Sequence, residues 1–289
     1  MMVLIIMLAC LAGLVVSAAC ECQFYAGGDL VVKSLHQHME EHPRKSTMTL
    51  TADKFPCKGM LTNLTVYGRP HTSDGIVLAA VFIHHEFSFL DTILHEAPKT
   101  ILDLGANIGA SAAYFATRYP EATVVALEPH FRNFMLASIN TQHLQNVIML
   151  HAAAWDTNSF VKIDIANSLP GEWGYVVAEV HGDDVGTLLA KRATTFPGYS
   201  VHSIMQRHGW SRIDFLKIDI ECGEYTVLNE KSLKQGWLHL VGCVTLEVHA
   251  CGTERSQQIE NINKIMESHG MYAVKGYFGE LNAWCKVSQ

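Results

Sequence analysis

From Thr100 onward, short apolar runs alternate with helical segments. The runs are TILDLG, TVVALE, VIMLHAA, IDFLKIDI and LVGCVTLEV, and helical candidates such as ASAAYFATRY, RNFMLASINTQH and SQQIENINKIMESHG lie between several of them. Apolar strands that are joined by helices are typical of a parallel sheet with helices on both faces. The pattern therefore predicts an α/β fold.

The two ends of the chain follow different patterns. MYAVKGYF and NAWCKV are strand-like runs around a turn that contains Gly279, which predicts an antiparallel hairpin at one edge of the sheet. Residues 21–75 are poorly periodic, and HHEFSFLDTILHEA, from His84, looks like an amphipathic helix. We therefore divide the chain into a leader at 1–20, an N-terminal extension at 21–75 and a main domain at 76–289.

The leader contains no charged residue. Its apolar run from Val3 to Val16 has the length of a signal-peptide core, and the S-A-A that follows offers small residues for cleavage, although the first lysine is Lys33. About 20 apolar residues also suffice to span a bilayer. A cleaved secretory signal, an uncleaved membrane anchor and a buried N-terminal helix are all open, and we expect the secretory pathway.

Composition adds two constraints. The chain has 289 residues, 49% of them hydrophobic, and a net charge of −7 without a Lys/Arg-rich run, so we expect one large domain and no nucleic-acid partner. The eight cysteines lack the C-x-x-C pairs of zinc sites, so we predict no metal. In the secretory route some would form disulfides, whereas the apolar run around Cys243 favours a buried thiol.

The clearest candidate site is the turn D-L-G-A-N-I-G, which follows an apolar strand and precedes a helix. Gly105 allows a sharp turn and the close approach of a ligand, and Gly109 allows tight entry into the helix with its free N–H groups. Glu128 ends the next strand, where a carboxylate can accept hydrogen bonds from both hydroxyls of a ribose. The pattern predicts a nucleotide site.

Two residues favour a particular nucleotide. Asn107 stands where the G-x-G-x-x-G fingerprint of dinucleotide sites has glycine, and Asp103 would face a bound diphosphate unfavourably. S-adenosylmethionine has no phosphate and carries a positive sulfonium, so it suits this turn better. A nicotinamide-dependent oxidoreductase and a non-catalytic binding protein with the same fold are the alternatives.

Charged side chains also cluster near the ends of two later strands. In RIDFLKIDIECGEY, Lys217, Asp219 and Glu221 alternate and therefore share one strand face, where open α/β sheets bind ligands. Glu247 and His249 share a face of another strand. Lys217 can neutralise Asp219 in an internal pair. The sequence does not choose among Asp219, Glu221 and His249 as the general base.

In combination, these motifs resemble one known family. ILDLGANIGASAAYFA, VVALEPHFRNFMLASIN, VIMLHAAAWD and IDFLKIDIECGEYTVL, in this order, resemble the FkbM-type S-adenosylmethionine-dependent methyltransferases from near Glu86 to the C-terminus. The resemblance implies a class I methyltransferase (Rossmann-like) core with a seven-stranded, mostly parallel sheet and an antiparallel last strand. It also implies an O-methyltransferase whose acceptor is a hydroxyl on a sugar, a polyketide or another small metabolite. A secretory leader would favour a glycan.

The resemblance assigns roles to individual residues as well. The residues implied to hold S-adenosylmethionine are Asp103, Gly105, Asn107 and Gly109 around its methionine part, Glu128 on its ribose and Asp156 at its adenine amino group. A helix cap or surface position is the alternative for Asp156. We expect the acceptor pocket to be walled by the SLPGEWGYV loop and the N-terminal extension, and the leader to allow membrane association.

The chain departs from the family pattern at one place. The family usually has glycine directly after the second acid, as in I-E-G-x-E, whereas this chain has Glu221-Cys222-Gly223-Glu224. Three outcomes are open: the turn rearranges slightly, Cys222 lines the acceptor pocket, or Cys222 is a tolerated small residue. We favour the last.

Overall fold

A computed structural model of the chain describes residues 64, 66–69, 72–164, 168, 174–180, 195–252, 254–274 and 281–286. The predicted leader and most of the predicted N-terminal extension lie outside the described residues. Among the helices of the described part, none is long and apolar enough to cross a membrane.

The described residues form short helices and strands in a mixed order. The helices are α1 (Asp74–Phe82), α2 (Leu90–Ile93), α3 (Ala110–Arg118), α4 (Phe131–Thr141), α5 (Val201–His208), α6 (Glu224–Val227), α7 (Glu230–Leu233) and α8 (Arg255–Ser268), with a 3-10 helix at Trp237–Leu240. The strands are β1 (Thr100–Leu104), β2 (Thr123–Leu127), β3 (Val147–Leu150), β4 (Ala153–Ala154), β5 (Ser159–Ile163), β6 (Val177–Glu179), β7 (Thr195–Tyr199), β8 (Ile213–Ile218), β9 (Val241–Glu247), β10 (Met271–Ala273) and β11 (Leu281–Lys286).

Seven of the described strands form one sheet, in the order β10-β11-β9-β8-β1-β2-β3. The five strands from β9 to β3 run parallel, and β11 runs antiparallel to both β10 and β9. This arrangement confirms the predicted α/β fold with a mostly parallel sheet and an antiparallel hairpin at one edge. It also brings the carboxyl ends of β1, β2, β8 and β9 to the same edge of the sheet.

The apolar runs become strands because both of their faces are covered. Successive residues of β1 alternate between two cores: Ile101 packs with Phe115 of α3, and Leu102 packs on the other face with residues such as Ile204 of α5. Both β1 residues are fully buried. Burying an aliphatic side chain of this size stabilises the fold by about 1.5–3 kcal/mol, so the alternation holds the sheet between two helical layers.

The helix predicted from His84 is wrong in its position. The expected helix from His84 is a series of turns with only the four residues of α2 in helical form, and the longer helix, α1, lies before it. The segment DGIVLAAVF is apolar on all sides, so its helical period is hidden. One side of α1 is buried against the core, while Ile76, Val77 and Ala80 line a cavity.

Polar contacts hold α1 against α4. Asp74, the first residue of α1, is fully buried and pairs with Arg69 at 2.8 Å. The same guanidinium donates to the side-chain oxygen of Asn133 on α4 at 2.7 Å. The predicted boundary at residue 76 falls inside α1, and the division of the chain into an extension and a main domain stays a prediction.

The run VIMLHAA is divided between two sheets. Its first part is β3, at the edge of the main sheet, whereas Ala153 and Ala154 form β4 of a smaller described sheet with the order β4-β7-β5-β6. Trp155 packs in the core of this second sheet with Val161 and Phe196. The chain therefore leaves the main sheet after Leu150 and enters the second sheet at Ala153, two residues before Trp155.

A disulfide closes the antiparallel edge. Cys243 on β9 and Cys285 on β11 are opposite each other in the ladder and form a disulfide. The expectation of an unpaired buried thiol at Cys243 is therefore wrong. The apolar run explains why Cys243 is buried, but its partner lies on a strand that is distant in sequence.

We expect the double change Cys243→Ala and Cys285→Ala to destabilise the fold. It removes a cross-link between residues that are 42 positions apart. A loop of this size corresponds to about 4 kcal/mol in the free energy of unfolding. Urea unfolding of the variant and the oxidised parent measures the difference, and equal midpoints and slopes would contradict a stabilising role.

Candidate active site

The glycine turn after β1 is built from alternating left-handed residues. Gly105, Asn107 and Gly109 have φ values of 86°, 50° and 80°. Outside glycine, asparagine is among the residues that best tolerate this region, which explains why the G-A-N-x-G pattern is stable here. The backbone N–H groups of Gly105 and Ala106 both donate to the carbonyl of Leu127 at the end of β2.

The two glycines make room for protein rather than for a ligand. A Cβ on Gly105 would lie 1.7 Å from the carbonyl oxygen of Asp219, so the turn packs against the end of β8. A Cβ on Gly109 would lie 2.9 Å from the Cα of Ala137 on α4. Gly105 and Asn107 line the cavity, whereas Gly109 does not. The end of β8 occupies the Cβ side of Gly105, and the approach of a ligand to this residue from the cavity stays a prediction.

Glu128 lies directly after β2 and lines the cavity. Its carboxylate accepts the backbone N–H of Asn107 at 2.9 Å and that of His130 at 2.8 Å. Burial raises the pKa of Glu128 to about 8, although these two donors act in the opposite direction. The carboxylate is thus fixed against the glycine turn, in a cavity wall where a hydroxyl group can reach it.

The structure places Asp103 differently from expectation. Its side chain is fully buried beneath the turn and does not line the cavity. One carboxylate oxygen accepts the hydroxyl of Ser111 at 2.5 Å, and the other lies 3.3 Å from Nζ of Lys217. Asp103 therefore contacts the turn from the side away from the cavity. Its carboxylate is paired with Lys217.

Asp156 also lies outside the cavity wall. Its carboxylate accepts the side-chain N–H of Asn229 at 3.1 Å and pairs with Lys231 at 3.2 Å. Burial would raise the pKa of Asp156, but these partners lower it below its ordinary value. The alternative of a structural aspartate describes this geometry better, and contact with an adenine amino group stays an unsupported prediction.

Lys217 connects the glycine turn to the end of β8. Its ammonium lies 3.3 Å from Asp103 and 3.2 Å from Asp219, and it donates to the carbonyl of Gly105 at 3.0 Å. Burial alone would lower the pKa of Lys217, but the two carboxylates raise it above its ordinary value. The internal pair expected as one alternative is present, and it extends to Asp103.

His249 is held between carboxylates from two segments. Its Nδ1 lies 2.8 Å from Glu224, which is fully buried, and its Nε2 lies 3.4 Å from Glu221 and 3.6 Å from Glu247. Burial alone would lower the pKa of His249, but the bond to Glu224 and the surrounding carboxylates raise it to about 9. Glu224 fixes the ring, so Nε2 is the nitrogen presented to Glu221 and Glu247.

Glu221 reaches this cluster in a way that the strand period did not predict. β8 ends at Ile218, and Glu221 stands in the following turn with a φ of 47°. It therefore does not share a strand face with Lys217. Burial raises the pKa of Glu221 to about 7, while the charge of His249 lowers it in part.

One large cavity is lined by Gly105, Asn107 and Glu128 on one side and by the charged groups around Lys217 and His249 on the other. Its volume is about 770 Å³, within the range of small-molecule sites. The glycine turn and the end of β2 form one part of its wall, the ends of β8 and β9 another, and α1 with the turn after it a third. The candidate bases Asp219, Glu221 and His249 all line it, so the predicted ligand turn and the predicted bases share one space.

A family model described as the methyltransferase FkbM domain matches residues 103–271. The chain belongs to the FkbM methyltransferase family. This match spans the glycine turn, Glu128 and the His249 cluster. No curated protein sequence matches the chain.

Several solved structures are similar to the chain at low identity. A putative rRNA methylase from Clostridium thermocellum shares 9% identity with a TM-score of 0.42, covering 72% of this chain and 96% of that one. A putative caffeoyl-CoA O-methyltransferase from Staphylococcus aureus shares 12% identity with a TM-score of 0.41, covering 73% and 83%. Fibrillarin from Aeropyrum pernix, in complex with natively bound S-adenosylmethionine, shares 13% identity with a TM-score of 0.38, covering 67% of each chain.

The cofactor of this FkbM methyltransferase is S-adenosylmethionine, and the cavity suits it. The amide oxygen of Asn107 is buried at the cavity wall and has no partner among the described residues. It can accept a hydrogen bond from an ammonium group. Glu128 offers a carboxylate to ribose hydroxyls nearby. The unpartnered acceptor oxygen of Asn107 would not suit a diphosphate.

Sequence reasoning missed several residues of the cavity wall. Tyr175 lines it and stacks on His130 with ring centroids 3.8 Å apart. Trp155 lines it from the second sheet. Tyr175 lies in the loop that was expected to form a pocket wall, whereas nothing in the local pattern distinguished Trp155 from an ordinary core residue.

Three side chains also offer atoms that can hold a metal ion. One ligand atom each of Asp219, Glu247 and His249 lies within 4.8 Å of the others. The positive charges of Lys217 and His249 already balance part of the acidic cluster. We therefore assign no metal to this FkbM protein on geometry alone.

We expect Glu128→Ala to abolish measurable cofactor binding. The change removes the acceptor for ribose hydroxyls. Above pH 8, where the Glu128 carboxyl has lost its proton, each hydrogen bond to the charged group contributes about 1.5–3 kcal/mol, so two such bonds correspond to roughly a 100-fold or greater loss in affinity. Calorimetry with S-adenosylhomocysteine measures this.

Two controls accompany this measurement. Glu128→Gln keeps one acceptor for the turn and is expected to retain part of the affinity. The exposed Glu121→Ala should match the parent. Unchanged affinity in Glu128→Ala would remove the ribose assignment.

Proposed function

We propose that this protein is an S-adenosylmethionine-dependent O-methyltransferase that acts on a hydroxyl group of a sugar, a glycan or another small metabolite. The observation that carries the proposal is the His249 cluster at the cavity wall. The buried Glu224 orients the imidazole through Nδ1, which leaves Nε2 beside Glu221, and His249 and Glu221 both line the cavity. A hydroxyl acceptor benefits from such a base, because its proton must leave as the oxygen attacks.

When bound, S-adenosylmethionine supplies the methyl group on its sulfonium. The residues of this chain bind the reactants, align them and accept a proton. Glu128 and the glycine turn hold the nucleotide end of the cavity, and His249 takes the hydroxyl proton on Nε2. Alignment of the two reactants in one site lowers the activation free energy by several kcal/mol.

Among the three candidate bases, the geometry favours His249. The carboxylate of Asp219 is ion-paired with Lys217, so it is already engaged within the protein. Glu221 contacts Nε2 of His249 and is placed to stabilise the imidazolium that forms. Glu224 plays the same part on Nδ1, as a buried carboxylate does for a catalytic histidine in hydrolases.

The proposed location is the secretory pathway, with a glycan or small-molecule acceptor. Two disulfides among the described residues support this location, because disulfides persist mainly in oxidising compartments. Membrane association through the apolar leader is part of the same proposal. The family match favours methyl transfer over the nicotinamide alternative.

A non-catalytic binding protein is the competing function, and labelled methyl transfer separates the two. The oxidised protein is incubated with methyl-labelled S-adenosylmethionine and fractionated metabolites or glycans, and products are identified by mass spectrometry. The proposal expects label on an oxygen of one acceptor class. Cofactor binding without any labelled product would favour the binding protein.

His249→Gln should lower kcat by roughly 10²- to 10⁴-fold, the usual contribution of a general base, while cofactor affinity stays near the parent value. The parent kcat should rise between pH 7 and about 9, because Glu221 and His249 lose their protons in that range. The variant should lose this rise.

His143→Gln is the matched control for this change, because His143 is exposed outside the cavity wall. It should behave as the parent. An unchanged pH profile in His249→Gln would contradict the assigned base. A loss of activity after dialysis against a chelator would instead assign the cluster to a metal.

A further inference from the structure

The disulfide between Cys222 and Cys251 lies beside the candidate base. Cys222 follows the end of β8 by four residues, and Cys251 follows the end of β9 by four residues. Because β8 and β9 are parallel neighbours, both segments leave the sheet at the ligand-binding edge. Cys222 is therefore neither a tolerated small residue nor part of the cavity wall, and both sequence expectations for it are wrong.

The disulfide joins the two segments that carry the base and its partner. Glu221 directly precedes Cys222, and His249 stands two residues before Cys251. The nearest atoms of Glu221 and His249 are 3.4 Å apart. Neither residue belongs to a strand or a helix, so the ladder between β8 and β9 does not fix their separation.

The backbone around the disulfide depends on local contacts. Glu221 and Cys222 are consecutive residues with φ values of 47° and 72°, a region that side chains other than glycine rarely adopt. Such conformations persist when the surroundings fix them. The family pattern has glycine at the second position, and in this chain a covalent bond from Cys222 fixes the turn instead.

The segment that contains His249 and Cys251 also depends on local contacts. The carbonyl of His249 accepts the N–H of Cys251 at 3.0 Å and the hydroxyl of Tyr225. Nδ1 of the His249 ring is hydrogen-bonded to Glu224, which lies two residues after Cys222. The position of His249 therefore depends on contacts within the two joined segments and on Glu247 at the end of β9.

We propose that the Cys222–Cys251 disulfide is a positioning device for catalysis, which holds Glu221 and His249 together, so that breaking it slows methyl transfer while cofactor binding is kept. This inference rests on the proposed function of His249. The glycine turn and Glu128, which hold the cofactor in the proposal, follow β1 and β2 and are not cross-linked by the disulfide.

The Cys222–Cys251 disulfide can be broken by a dithiol reductant. Dithiothreitol reduces the disulfide: the S–S bond breaks, and Cys222 and Cys251 each gain one electron and one proton. The two thiols of the reagent lose two electrons and two protons and close into a cyclic disulfide. Cys222 and Cys251 are both partly exposed, whereas in the other disulfide only Cys285 is partly exposed and Cys243 is 6% exposed. We therefore expect mild reduction to break the Cys222–Cys251 bond first.

The test compares two double variants that each lack one disulfide. Cys222→Ser with Cys251→Ser removes the bond beside the base, and Cys243→Ala with Cys285→Ala is the matched control at the antiparallel edge. Three quantities are measured below the melting temperature of both variants. They are the ¹⁵N chemical shifts of the His249 imidazole, the affinity for S-adenosylhomocysteine, and kcat with the acceptor fraction found by methyl labelling.

The first variant should change the His249 shifts, keep the affinity within about twofold and lower kcat roughly 10- to 100-fold, the size expected for misplacement by about 1 Å. The control should keep all three values. If the first variant does not fold, mild reduction of the parent by dithiothreitol replaces it.

Three results would overturn the proposal. They are unchanged His249 shifts after the bond is lost, equal loss of kcat in the control, and loss of cofactor affinity together with kcat. The imidazole shifts need no acceptor, so they test the positioning role even where the protein transfers no methyl group. Changed shifts without any methyl transfer would leave the positioning standing and contradict the proposed function instead.

Discussion

The buried ammonium of Lys217 is the contact on which the site depends. It joins Asp103 at the start of the glycine turn, the carbonyl of Gly105 within it and Asp219 at the end of β8. Removing one member of a buried ion pair costs about 3–5 kcal/mol, because the remaining charge is left uncompensated. The network thus holds the cofactor turn against the strand that leads to the base.

The parallel sheet then decides which groups can meet. β1 and β2 lead directly into the glycine turn and Glu128, β8 ends one residue before Asp219, and β9 ends at Glu247. Since parallel strands share one carboxyl edge, binding and proton transfer are brought to one cavity although their residues are far apart in sequence. Beyond the ends of β8 and β9, Glu221 and His249 lie in irregular segments, and the Cys222–Cys251 disulfide joins these two segments.

Local patterns were sufficient for the sheet and for part of the site. The apolar runs predicted β1, β2, β8 and β9, because strands buried on both faces leave a strong signal. The glycine turn and Glu128 were predictable since their chemistry is local. The position of Asp103 beneath the turn could not be predicted, because a carboxylate beside a ligand turn and one beneath it look alike in sequence, and its role toward the cofactor stays a prediction.

Long-range pairing accounts for the other differences. Cys222 and Cys251 became partners only once β8 and β9 were known to be neighbours, and the same holds for Cys243 and Cys285. Asp156 was expected at the ligand, but its partners come from the segment at 229–231. The apolar helix α1 has no polar face, so its period gave no signal.

A crystal structure of the oxidised protein with S-adenosylhomocysteine tests the central claim most directly, namely that one cavity holds the cofactor next to the base. The account predicts the ribose on Glu128, the amino group near Asn107 and the sulfur on the side of the cavity formed by Glu221 and His249. A nucleoside bound away from Glu128, or a sulfur separated from His249 by the cavity wall, would contradict it.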